Sequence, residues 1–159
     1  MEDMIQYIED FVEPTIADFQ RNPTSVRHAF LAAVAVFHAI DYLAYPMNRP
    51  ADLRQKFRRE SADFTMVDDV AHAFKHVSVG NRAKPHLKAQ EVVARPPAYF
   101  DVSGAFDVSR FDDPVGGVML INNRQVDLLS VLRSAVTFLL GQNPRGPAAA
   151  RSRRQPAQG

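Results

Sequence analysis

The sequence contains no cysteine, which excludes disulfides, thiolate metal sites and cysteine nucleophiles and fits a reducing compartment. It also lacks an apolar run near the roughly 20 residues that a bilayer-crossing helix needs. The longest, Ala29 to Phe37, meets His38 and Asp41 almost at once, so no membrane association is expected. The opening Met1-Glu2-Asp3-Met4 has neither the basic start nor the apolar core of a secretion signal, and a cytoplasmic location is the expectation. No Gly-x-Ser-x-Gly elbow occurs, no His-Glu-x-x-His pair, and neither Gly80-Asn81 nor Gly116-Gly117 sits in a strand-to-helix phosphate frame. Serine hydrolase, zinc protease and nucleotide folds are therefore unsupported, and no cofactor is expected.

What remains is ordinary in size. A chain of 159 residues with 46% apolar content builds one domain with a full core. Its formal charge is +1, yet the last nineteen residues hold four arginines and no acid, which leaves the body near −3. A mildly acidic body gives no global electrostatic case for nucleic acid. There is no internal repeat.

Periodicity predicts a helical protein. Ile5, Ile8, Phe11, Val12, Ile16 and Phe19 recur at helical spacing over residues 3–21, with Pro14 expected to kink or divide that helix. A second helix is expected after Asn22-Pro23-Thr24-Ser25, running to about Tyr45. Its apolar residues cover nearly the whole circumference, so it reads as a central helix surrounded by partners. Pro50 opens a short basic helix to about Arg59, and 62–77 forms a fourth whose packed face is Val67, Val70, Ala71, Phe74 and Val77. Beyond Pro85 the period changes: Phe100, Val102, Phe106 and Val108 alternate like a strand, Val118 to Ile121 forms another, and Asp127 caps a last helix ending at Gly141. The fold class is an α-rich α+β domain over 1–141: a four- or five-helix bundle with a small antiparallel sheet at about 90–122, before the last helix. Residues 142–159 form a basic tail with little to bury, expected to be disordered.

The chemistry gathers in Asp68-Asp69-Val70-Ala71-His72-Ala73-Phe74-Lys75-His76. On a helix Asp68, His72 and His76 lie within about 80° of each other, roughly opposite the Val67/Val70/Phe74 face. A carboxylate one turn before a histidine fixes its tautomer and stabilises the protonated form, which suits acid–base work. The same spacing also makes a plain surface pair, or interior polarity that finds its partners within the fold. On the central helix Arg27, His38, Asp41 and Tyr45 share about a quarter of the circumference, and facing packing of the two stripes would build a binding groove. Otherwise His38 and Asp41 satisfy one another. These are ligand types that zinc, iron or manganese accept, and a helical-bundle metal protein is one alternative, though the pattern assigns no metal ligand. Arg49, Arg54, Lys56, Arg58 and Arg59, with Arg82, Lys84 and Lys88 beyond, read as a solvated basic face diluted by Asp52, Glu60 and Asp63, or else as contacts to a phosphate backbone.

The stretch Val67 to Val77 resembles the Asp-(Val/Ile)-Ala-Asn-x-x-Lys-His helix of small bacterial proteins that are in turn similar to the HEPN superfamily of helical bundles. Asp69, Lys75 and His76 match that motif, while His72 stands where the group carries Asn. The resemblance implies either metal-independent RNA cleavage, of the kind used in toxin–antitoxin and phage defence, or non-catalytic binding of nucleotides or partners. The arginine that the nuclease branch places before its histidine has no counterpart ahead of His76. Two functions follow. One is RNA binding or cleavage in a groove of His38, Asp41, His72, Lys75 and His76, with His76, His72, Lys75 and Asp69 as the catalytic candidates and His38, Asp41, Asp68, Arg27 and Tyr45 as the binding ones. The other is a non-enzymatic interaction or homodimerisation module.

Overall fold

A computed structural model describes residues 3–75, 92–95, 117–121 and 125–143. The first helix begins as α1 (Met4–Tyr7), where Asp3 accepts the Ile5 N–H at 3.0 Å. It passes through a π turn (Ile8–Val12) and continues as α2 (Glu13–Arg21). Pro14 does not divide it. Proline offers no N–H to the preceding turn, and the chain widens just before it, with the Glu13 N–H reaching back to the Ile8 carbonyl. That widening also serves packing. Met4, Ile8, Val12 and Ile16 are all buried; steps of four drift about 40° each on a regular helix, and a π turn absorbs the drift. Phe11, expected on the packed face, is instead 50% exposed.

Ser25 caps α3 (Val26–Ala44) by accepting the His28 N–H at 3.3 Å. The helix packs chiefly on α5 (Ala62–Lys75) and also touches α2, α4 (Pro50–Glu60) and α6 (Leu128–Gly141). Its buried residues are mostly small: Ala29, Ala32, Ala33, Val36, Ala39, Ile40 and Ala44. The expectation of a helix surrounded on all sides is corrected here, because Leu31 is 41% exposed and His38 and Asp41 face outward. By length and composition α3 is apolar enough to cross a bilayer, a property that its longest uninterrupted run understates; in this fold its alanine face lines the bundle core.

Helices α4 and α5 form a tight hairpin joined at Ser61, whose Oγ accepts the Phe64 N–H at 3.1 Å. Phe57, Phe64 and Phe138 meet at the base of this hairpin, with Phe57 edge-on to the other two at 5.6 and 5.3 Å. Val67, Val70 and Ala71 are buried as the periodicity predicts, whereas Val77 and the Phe74 side chain lie outside the described residues. Three short strands, β1 (Val92–Arg95), β2 (Gly117–Ile121) and β3 (Gln125–Asp127), pair antiparallel in the order β1-β2-β3, with Val92 opposite Leu120 and Met119 opposite Asp127. The stretch Phe100 to Val108 and residues 144–159 lie outside the described residues. Asp127 ends β3 and caps α6, accepting the N–H groups of Leu129 and Ser130 at 3.3 and 3.2 Å. Leu128, Val131, Leu132, Ala135, Val136 and Leu139 of α6 close the core. Two polar ties hold that helix in place, Arg133 to Gln20 at 2.7 Å and Ser134 to Asp63. The helices form a bundle.

Candidate functional site

Asp68 has no exposed surface. Opposite an apolar face such a residue would be solvated, as the wheel suggests, were it not for α4, which folds back over that side of α5. At Asp68 and His72 the stripe is therefore an interior seam, as the reading of satisfied interior polarity expects, and not a wet face.

Arg54 and Arg58, one turn apart on α4, meet Asp68 and His72, one turn apart on α5. The Arg54 Nε lies 3.0 Å from Asp68 Oδ2 and 2.9 Å from Oδ1. Arg58 donates from Nη1 to Asp68 Oδ2 and, at 2.7 Å, to Asp69 Oδ1. The His72 Nδ1 lies 2.8 Å from the Asp68 carbonyl and 2.9 Å from Oδ1. Asp68 Oδ1 is thus within ion-pair distance of two cation-forming groups without an aligned hydrogen bond, while Oδ2 carries the aligned ones. Burial opposes the charge on Arg58, but its hydrogen bonds to Asp69 and Asp68 and their negative charges outweigh it, raising its pKa above the ordinary value. Of the basic residues read as a solvated face, Arg54 and Arg58 are turned inward, with 38% and 31% of their side chains exposed, while Arg49, Lys56 and Arg59 are exposed as expected.

Helix α3 reaches this cluster through an aromatic ring. Phe37 meets His72 edge to face at 5.0 Å, and the Arg54 guanidinium sits 5.9 Å from the same ring centre. The same ring meets His38 edge to face at 5.4 Å, while the His38 and Asp41 polar groups pair with each other. These two side chains, 49% and 50% exposed, stand 2.8 Å apart on the outer side of α3, where Arg27 and Tyr45 are exposed as well. His76 and the Lys75 side chain lie outside them. Among the described residues no group of three His, Asp or Glu side chains is arranged to hold a metal ion.

Sequence reasoning finds Asp68, Asp69 and His72 but misses Arg54 and Arg58 as their partners. The available signal is the matched spacing: two arginines four apart, a single-residue link at Ser61, then an acid and a histidine four apart. A hairpin that tight obliges the two rows to face.

Together the fold and the cluster define a helical bundle with an internal ion-pair seam. Compared with family models, curated proteins and solved structures, the chain matches none, so the cluster is interpreted on its own chemistry.

Proposed function

We propose that the protein is a non-enzymatic helical-bundle interaction module of the cytoplasm, with the small sheet ahead of α6 belonging to the same domain. The observation that carries this reading is the complete burial of Asp68 between Arg54 and Arg58. A carboxylate held by two guanidinium groups is spent on packing: with Asp69, which also pairs with Arg58, it offsets their charges, and the arginines offer less charge to a phosphate. In this reading the cluster fixes one helix register against its alternatives, a role that buried ionic groups serve in some proteins. Incubation with mixed RNA checks the proposal, in chelator and again with Mn²⁺ or Zn²⁺. RNA left intact under all three conditions is the expected result. Cleavage that disappears in both His72→Ala and His76→Ala, with melting temperatures near that of wild type, would overturn it.

A second reading is favoured by the orientation of His72, whose Nδ1 faces Asp68 while its ring edges against Phe37. A carboxylate that fixes an imidazole's tautomer is a common support for acid–base chemistry. In this reading the chain is a HEPN-like RNA-binding or RNA-cleaving protein that works without metal. One of His72 and His76 takes the 2′-hydroxyl proton, the other protonates the leaving oxygen, and Lys75 stabilises the phosphate charge. The same assay separates the two readings.

A further inference from the structure

Helix α3 is apolar enough to be a core helix, yet only 33% of its most apolar stretch is buried. The uncovered side has an order. Arg27, Leu31, Val34, His38, Asp41 and Tyr45 fall within about 80° of one another on the helix wheel. All are exposed except Val34, which is half-buried at the middle of the row. Leu31 is 41% and Tyr45 77% exposed, and Phe11, stacked on Tyr7 at the border of this face, is 50% exposed. The Tyr7 hydroxyl donates to the Ala35 carbonyl at 2.9 Å and its ring stacks on Tyr42 at 4.3 Å, so this aromatic border is fixed against α3.

The charges on this row are placed symmetrically. Arg27 and Asp41 stand seven residues to either side of Val34. We infer that this stripe is a twofold interface in which α3 packs antiparallel on α3 of a second copy, with the axis passing by Val34. The deduction deepens the interaction-module reading and rests on it. An antiparallel pair centred on Val34 sets each Arg27 against Asp41 of the second copy, about 21 Å from the matching contact at the other end. Leu31 then lies beside His38 of the second copy, and the valines meet at the axis. A twofold contact requires a self-complementary surface of this sort. A parallel pair would set Arg27 against Arg27. A bilayer is a poor occupant because Arg27 and the polar His38–Asp41 pair would have to enter it. Nucleic acid is a poor occupant because exposed Glu9, Asp10 and Glu13 flank Phe11, and no lysine or arginine precedes Arg21.

Sedimentation velocity over a range of concentrations tests the inference. The wild-type chain is expected to form a dimer that weakens with salt. Leu31→Glu, at an exposed site that leaves the circular dichroism spectrum unchanged, is expected to raise the dissociation constant at least about tenfold, equivalent to about 1.4 kcal/mol. Arg27→Asp and Asp41→Arg should each weaken the dimer, and the double variant Arg27→Asp/Asp41→Arg should restore it, because the exchange re-forms both contacts with their signs reversed. A wild-type chain that stays monomeric at every concentration overturns the inference. So does a double variant as weak as either single one, or flotation of the protein with phosphatidylcholine–phosphatidylglycerol vesicles that depends on Leu31. A monomer that leaves RNA intact removes this interface but not the interaction-module reading, whereas RNA cleavage removes that reading whatever the assembly state.

Discussion

At the scale of single residues, similar acid–histidine pairs have different weights because water reaches only one of them. His38 and Asp41 are half exposed, where an ion pair is worth about 0–1 kcal/mol, so His38→Ala is expected to change unfolding free energy by less than about 1 kcal/mol in urea titrations. The pairing of Asp68 with His72 is legible in their four-residue spacing. Its depth is not, since a wheel drawn for one helix contains no information about the helix on its far side. Tyr7 supplies the pH dependence. Burial first, then repulsion from the negative charges of an ionised Tyr42 hydroxyl and of Asp41, push its hydroxyl from 10.0 up to about 12. The fold thus favours the neutral phenol: its contribution is complete below pH 10 and is lost as the pH rises toward 12. Tyr7→Phe should lower stability at neutral pH by about 1 kcal/mol through loss of the bond to Ala35. It should also remove this group's share of the alkaline decline, both measured by denaturation on either side of pH 10.

At the scale of elements, helices with a clean apolar stripe are legible and those with compensations are not. α6 has the N-cap and the row of buried residues its periodicity predicts, with Asp127 capping its start and Gly141 as its last helical residue. Leu132, fully buried there, should cost about 2–5 kcal/mol when cut to alanine, and Asp127→Ala about 1 kcal/mol through loss of the cap, both measured as shifts in denaturation midpoint. The first helix is harder to read. Its buried residues step by four, which no regular helix keeps on one side, and the π turn ahead of Pro14 resolves the conflict by an insertion that residue spacing alone does not announce. α3 misleads in the other direction. Its apolar circumference suggests partners all round, while its alanines supply a close-packed inner face and Leu31 remains outside.

At the scale of the whole molecule, the bundle is held by an apolar core among α2, α3, α5 and α6 and by a charged seam between α4 and α5. The bundle itself could be anticipated from local pattern. The seam could not, because it depends on the α4–α5 hairpin bringing Arg54 and Arg58 over Asp68. If that seam is a lock, its parts matter only together. Breaking a buried pair from one side costs about 3–5 kcal/mol, whereas replacing the whole cluster with apolar groups of similar volume is often neutral or stabilising. Urea denaturation of Asp68→Asn beside the triple variant Arg54→Met/Arg58→Met/Asp68→Leu tests this most directly. The account predicts a loss of about 3–5 kcal/mol for the single variant and recovery of most of it in the triple. An Asp68→Asn chain within about 1 kcal/mol of wild type would contradict it, because a carboxylate that the fold can spare is free for chemistry.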